Sequence, residues 1–165
     1  ELDISDGMLV DIEANTIDAE WYDDDVTVAV PVFDTGEGTY PSISGTHEGT
    51  ITPYKDIPVQ KMYTYPCTGT GGHSEYVKIE NATWNVSAVW TGYTAGDYHT
   101  IVFHDSFTLH AGKTYRYTIR TGSYPMIIHA QSHTAELNYG VIRCDTFVDA
   151  NGRECSDWIP AIKLW

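Results

Sequence analysis

The chain has 165 residues, enough for one domain with a substantial core. Hydrophobic residues make up 42% of it and aromatic residues 13%, which is typical of a folded domain, and its many Tyr, Trp, Thr and Val residues favour strands over helices. The formal net charge of −14 repels phosphate groups, so we expect neither nucleic acid nor an anionic membrane as a partner. No apolar run approaches the length that spans a bilayer.

The first part of the chain is predicted to be a β arm, residues 1–32, ahead of a main domain at residues 33–165. Leu9, Val10 and Ile12 begin its β-like stretch, and the pattern over residues 8–19 predicts a strand, a turn and a second strand. The acidic triplet at residues 23–25 then marks a hinge. No basic-then-apolar leader opens the chain, so if the protein is exported we expect its signal to have been removed.

Apolar residues then recur at every second position between turn signals, which is the pattern of half-buried strands. The sets predicted to share one face of a strand are Val26/Val28/Val30/Val32, Val77/Ile79, Trp84/Val86/Ala88/Trp90, Tyr115/Tyr117/Ile119 and Trp158/Pro160/Ile162/Leu164, and the Trp84 set is predicted to face inward. Pro160 indicates an edge strand or a bulge, and residues 149–152 predict a tight turn closed by Asp149. No stretch of a dozen residues shows an apolar stripe at helical spacing. We therefore predict an all-β fold with little helix, an antiparallel β-sandwich of the jelly-roll or immunoglobulin-like kind.

Two N-glycosylation sequons follow one another closely, Asn81-Ala82-Thr83 and Asn85-Val86-Ser87. In an exported protein of a eukaryote or archaeon, Asn81 and Asn85 are predicted glycan acceptors. The strand pattern points Asn85 outward, which agrees with that role.

Three cysteines, at positions 67, 144 and 155, allow three single pairings. A Cys67–Cys144 bond would close a loop of about 77 residues and contribute about 4 kcal/mol in the chain-entropy model, and we prefer it. A Cys144–Cys155 bond, which would staple a hairpin, is the alternative. The cysteines lack the close spacing of a zinc knuckle or ribbon, so thiolate-bound zinc is not expected.

Short sequence motifs distributed along the chain resemble those of a known module. They include residues 33–36, 40–43, 45–51, 63–67, 69–75, 90–93, 124–125, 129–130, 149–152 and 157–162. Together they resemble a β-rich module of secreted and cell-surface proteins of methanogenic and related archaea, over about four-fifths of the chain, residues 33–164. The resemblance implies an archaeal, extracellular setting and a disulfide between Cys67 and Cys144, and it brings no catalytic residues. Cys155 stands where the module has no cysteine, so it is free, paired within the chain or bonded to another chain.

Candidate binding residues are few, and none forms a known catalytic motif. The chain lacks a nucleophile elbow, a zinc-protease helix, a phosphate-binding loop and a dinucleotide fingerprint, so we do not predict an enzyme. His73 and Glu75 are two residues apart and would share a side of a strand, where His99 could join them on a metal ion. The triplet at residues 23–25 offers carboxylates for calcium, and no other cofactor is expected.

Four tyrosines are the candidate ligand-binding residues, because exposed aromatic rings can stack against sugars: Tyr63, Tyr65, Tyr93 and Tyr98. Two functions follow from these expectations. The first is an extracellular structural subunit whose arm adds a strand to a neighbouring copy or to another surface protein, building a filament, sheath or lattice. The alternative is a carbohydrate-binding or adhesive module.

Overall fold

A computed structural model describes the backbone of residues 8–11 and 18–21 and all atoms of residues 28–92 and 97–165. Strands dominate these residues, and they are β1 Met8–Asp11, β2 Asp18–Trp21, β3 Phe33–Asp34, β4 Tyr40–Pro41, β5 Gly45–Pro53, β6 Ile57–Thr64, β7 His73–Glu80, β8 Asn85–Val89, β9 Thr100–Leu109, β10 Tyr115–Gly122, β11 Met126–His129, β12 Ser132–Thr134, β13 Gly140–Asp149, β14 Glu154–Cys155, β15 Trp158–Pro160 and β16 Ile162–Leu164. One 3-10 turn at Glu136–Asn138 is the helical element of the described part. The predicted all-β fold with little helix is confirmed.

The largest layer is a seven-stranded antiparallel sheet, the large sheet, in the order β12-β13-β5-β10-β7-β8, with β14 also pairing β13. Its strands alternate as the sequence predicts. Tyr115, Tyr117 and Ile119 in β10 are buried, and so are Val77 and Ile79 in β7. The inner face of this sheet is therefore a continuous apolar surface.

A four-stranded sheet, the small sheet, packs over that surface in the order β3-β16-β6-β9. Phe33, Met62, Phe103 and Leu164 from its strands join the same buried core as the large sheet. The two antiparallel sheets are not closed into a barrel, and the predicted β-sandwich is confirmed.

A third, three-stranded side sheet runs in the order β15-β11-β4. Pro160 lies in β15 at its edge, where a residue without an N–H group is tolerated, so the edge-strand prediction for Pro160 is confirmed. The predicted turn after β13 is also present, because Asp149 Oδ1 accepts hydrogen bonds from the backbone N–H groups of Asn151, at 2.8 Å, and Arg153, at 2.9 Å.

Three aromatic rings, which we call the stacked cluster, fasten the side sheet to the large sheet. His47 of β5 stacks on Phe147 of β13 at a centroid distance of 4.2 Å, and Phe147 stacks on Trp158 of β15 at 5.3 Å. The Phe147 ring lies directly over Gly45, where an added Cβ would come within 2.5 Å of it. Glycine at position 45 is therefore required by packing.

His47 is neutral inside this cluster. Its Nδ1 donates to the backbone carbonyl of Trp158 at 3.0 Å, while its buried Nε2 has no hydrogen-bond partner among the described residues. Burial lowers the pKa of His47 to about 4, and the bond to Trp158 only partly opposes that effect.

The predicted Cys67–Cys144 disulfide is wrong, because all three cysteines are free thiols. Cys67 follows β6 in a loop where its N–H donates to the Tyr124 carbonyl, whereas Cys144 lies within β13 of the large sheet, opposite Gly49. The alternative partner, Cys155, stands opposite Phe147 and not opposite Cys144. Burial raises the pKa of the Cys144 thiol, which keeps it protonated.

The predicted strand through the alternating valines is also wrong where the structure describes it. Residues 28–32 belong to no strand, and Val28 and Val30 are 80% and 66% exposed. The two strands predicted from the pattern over residues 8–19 are present, because β1 pairs antiparallel with β2. Leu9 and Val10 lie in β1, while Ile12 and the acidic triplet at residues 23–25 lie outside the described residues. No helix in the described part is both long and apolar enough to cross a bilayer.

Candidate functional site

A concave site lies where the small sheet meets the side sheet. It is a groove of about 400 Å³, which we call the tyrosine groove, and it is lined by Glu37, Gly38, Pro41, Tyr63, Tyr65, Pro66, Cys67, Thr68 and Met126. This volume falls within the range of small-molecule sites. Polar and apolar groups both line the groove, as a ligand with hydroxyl groups and a hydrocarbon face requires.

Two of the predicted ligand-binding residues form its aromatic wall. Tyr63 ends the outward-facing row of β6 and Tyr65 follows two residues later, so the pleat of the extended chain turns both rings to the same side. The rings meet edge to face at 5.0 Å. Backbone bonds hold Tyr65 in place, because its N–H donates to Ala161 and its carbonyl accepts from Met126.

Carboxylates surround these phenols. The Tyr65 hydroxyl donates to both carboxylate oxygens of Asp34, at 2.8 and 3.0 Å, and Lys163 Nζ lies 3.9 Å from the same carboxylate. Burial and the bond to Asp34 raise the pKa of Tyr65. Burial, followed by the charges of Asp97 and Glu37, raises the pKa of Tyr63. Both hydroxyls therefore stay protonated, and the groove has an acidic character.

The wall opposite the tyrosines comes from the side sheet, and one glycine permits its close approach. Gly38 has φ +80°, and a Cβ there would lie 2.9 Å from both the Ala161 side chain and the Ile127 carbonyl. Any other residue at position 38 would push the Glu37 loop away from β11 and widen the groove.

Tyr98, a third predicted ligand-binding residue, lies outside the groove but continues its aromatic row. His99 links the two, with its ring 5.8 Å from Tyr63 and 5.5 Å from Tyr98. Tyr98 then packs edge-on against Trp90 and His73, each at 5.0 Å. The fourth tyrosine, Tyr93, lies outside the described residues.

The predicted metal ligands take other roles. His73 is buried with Nδ1 donating to the Gly71 carbonyl, and His99 Nδ1 donates to the Gly72 carbonyl. Glu75 lies beside His73 at Gly122 and forms an exposed ion pair with Arg120 at 3.3 Å. Across residues 28–92 and 97–165, no three His, Cys, Asp or Glu side chains form a group that could hold a metal ion. A bound cation therefore remains a prediction.

Sequence reasoning missed the groove residues Glu37, Pro41 and Met126. A usable signal was present, because the dipeptide Tyr-Pro occurs at residues 40–41, 65–66 and 124–125. The structure brings these dipeptides together: Pro66 forms a bridge with Pro125, and Pro41 pairs with Met126. Such recurrence in three separate segments indicates a shared surface that no single segment reveals.

No protein-family model matches the chain, and no curated protein or solved structure matches it.

Proposed function

We propose that the chain is an extracellular carbohydrate-binding module that holds a sugar ring in the tyrosine groove. The observation that carries this proposal is the pair of half-buried rings of Tyr63 and Tyr65 beside the Glu37 carboxylate in a groove of ligand size. An aromatic ring packs on the hydrocarbon face of a sugar, and carboxylate and phenol groups bond its hydroxyls. The resemblance to archaeal surface modules supports an extracellular setting.

The charges of the groove restrict the ligand class. Glu37 lines the groove, Asp34 holds the Tyr65 hydroxyl, and Asp97 is near Tyr63. These carboxylates disfavour a uronic acid or a sulfated sugar, because bringing like charges together in the groove is electrostatically unfavourable. A neutral sugar or an amino sugar is therefore the preferred ligand.

The test is binding of the full chain to an array of neutral, amino and acidic oligosaccharides, with and without calcium, followed by calorimetric titration. Tyr63→Ala should weaken binding by at least about tenfold, because one stacked ring contributes on the order of 1.4 kcal/mol. Tyr54→Ala is the matched control, since Tyr54 is 51% exposed and does not line the groove. The proposal would be contradicted if no oligosaccharide on the array were bound, or if the Tyr63 variant and the native chain bound with equal affinity.

A second candidate is the structural subunit, in which the arm adds to a neighbouring copy. Two observations favour it. Among the described strands, β1 and β2 pair only with each other, and an isolated two-stranded hairpin is marginal in water. Beyond the hairpin, the exposed Val30 borders an apolar groove of about 280 Å³ with Val59 and Trp165. Exposed apolar surface of this kind is typical of interaction sites.

Electron microscopy and light scattering of the native chain test this candidate against a chain lacking residues 1–24. The truncated chain keeps β3 to β16 and should remain folded but dispersed, while the native chain forms filaments, sheets or lattices. Normal assembly of the truncated chain would rule out the arm as the connector. Val30→Asp supplies a milder variant, which should reduce assembly without removing the hairpin.

A further inference from the structure

The two neighbouring sequons occupy different structural positions. The first lies in the four-residue turn between β7 and β8, in which Asn81 N–H donates to the Trp84 carbonyl at 2.8 Å. The Asn81 side-chain oxygen accepts from the Thr83 N–H at 3.0 Å and from the Thr83 hydroxyl at 3.3 Å. All three residues of this sequon are exposed. The turn thus presents the acceptor amide together with the hydroxyl of its sequon.

The second sequon lies within a paired strand. Asn85 is the first residue of β8 and stands opposite Glu80 of β7. Asn85 and Ser87 are exposed, while Val86 between them packs against the core. A group attached to Asn85 therefore leaves from the outer face of the sheet.

Asn81 is also part of a groove, which we call the turn groove. It has a volume of about 310 Å³ and is lined by Asn81, Trp84, Phe107, Thr108, His110 and Tyr115. The Trp84 ring lies 5.1 Å from that of Phe107 and 6.2 Å from that of Tyr115. The groove therefore begins at an acceptor amide and continues along aromatic rings, and its volume suits a ligand about the size of one or two sugar rings.

We propose that Asn81 carries an N-linked glycan whose first sugar, a hexose or N-acetylhexosamine, lies in the turn groove against Trp84. In the transfer, the Asn81 side-chain nitrogen loses a proton to the surrounding water and forms a bond to the anomeric carbon of the sugar. The bond from that carbon to a lipid-linked phosphate breaks, and the lipid phosphate leaves with the electron pair. The donor is the lipid-phosphate oligosaccharide of a cellular glycosylation system.

The groove distinguishes the two acceptors. A sugar on Asn81 removes the partly buried Trp84 face from water in the folded state alone, so it stabilises the fold. A sugar on Asn85 projects from the outer face of β8 and gains no such contact. The structure thus assigns a structural glycan to the turn and, at most, a solubilising one to the strand.

The test is secretion of the full chain from yeast, followed by glycopeptide mass spectrometry and thermal unfolding. Asn81 should be occupied, and Thr83→Ala should abolish that occupancy without affecting Asn85. Ser87→Ala is the matched variant for the second sequon. An endoglycosidase that leaves one N-acetylglucosamine on Asn81 should preserve the melting temperature, while the same chain produced without glycans in a host that lacks N-glycosylation should melt about 2–4 °C lower.

Trp84→Ala should make the trimmed and the sugar-free proteins melt together. That variant also loses packing of the Trp84 ring. The melting temperatures of the trimmed and the sugar-free native chains therefore test the sugar contact without relying on the variant. The proposal fails if Asn81 is unoccupied. It also fails if removal of the Asn81 glycan changes the melting temperature no more than removal of the Asn85 glycan.

Discussion

The stacked cluster and the tyrosine groove are both built around aromatic side chains, but the cluster is packed closed and the groove is open to solvent. In the stacked cluster, Phe147 lies between His47 and Trp158 and is 1% exposed. In the groove, Tyr63 and Tyr65 meet edge to face and leave space beside them. Aromatic density alone therefore does not identify a binding site. The Tyr65 hydroxyl is held at the open groove by Asp34, whereas the Nε2 atom of His47 is buried inside the stacked cluster.

Removing the middle of the stacked cluster has the largest expected effect. Phe147→Ala should lower the free energy of unfolding by about 3–5 kcal/mol, because the ring is fully buried between two others. Urea unfolding followed by tryptophan fluorescence measures the loss. A loss below about 1 kcal/mol would mean that the cluster is not a structural fastening.

Acid should weaken the stacked cluster through His47. Its pKa of about 4 in the folded protein lies below the usual histidine value of 6.5, so between these two values the unfolded chain binds more protons. Stability is therefore fully present above about pH 6.5 and is lost as the pH falls towards about 4, by on the order of 3 kcal/mol.

Urea unfolding at about pH 7 and about pH 4.5 measures this loss. His47→Asn keeps an N–H group near the Trp158 carbonyl and should reduce the pH-dependent loss. His104→Asn is the matched control, because the His104 side chain is 95% exposed and should leave the pH profile unchanged. Identical profiles for the native chain and the His47 variant would exclude His47 as the titrating group.

In the groove, the Tyr65 hydroxyl should have a smaller effect on stability. Tyr65→Phe removes the donor to Asp34 and should cost about 1–2 kcal/mol, since a hydrogen bond to a charged group is lost and the half-buried carboxylate keeps its Lys163 and Gly36 contacts. Urea unfolding measures this loss as well. No change in stability would show that Asp34 is fully satisfied without the phenol.

A substitution of Glu37 in the tyrosine groove should have the smallest effect on stability of those considered, in contrast to Phe147 in the stacked cluster. Glu37→Gln replaces an exposed groove residue with one of the same size, so the free energy of unfolding should stay within about 0.5 kcal/mol. Binding of a neutral oligosaccharide should weaken, and discrimination against acidic sugars should decrease. A large loss of stability would show that Glu37 stabilises the fold, contrary to a role in ligand binding.

The strand content and the buried faces of the strands were predictable from the sequence, because apolar residues at every second position depend only on neighbouring residues. Trp84, Val86, Ala88 and Trp90 do pack against the core as their alternation predicts. The same alternation failed at Val28 and Val30, since a period indicates an extended chain but not a partner strand.

Pairings across the chain could not be predicted. A Cys67–Cys144 disulfide was the preferred pairing and is what the resemblance implies, yet Cys67 lies in the loop after β6 and Cys144 within β13, and both are free. The groove was half predicted. Tyr63 and Tyr65 were identified as aromatic candidates, whereas the wall of Pro41 and Met126 depends on the pairing of β4 with β11, which the sequence around either strand does not specify.

The position of β8 as the outermost strand of the large sheet has a consequence for crowding between molecules. Among the described strands β8 has one pairing partner, β7, and Val89 at its end is 61% exposed, so its other side can accept a strand from another molecule. A bulky, hydrated sugar on the turn that precedes β8 would act as a steric guard on this edge. Neighbours that join by adding a strand would then be directed to the opposite edge at β12.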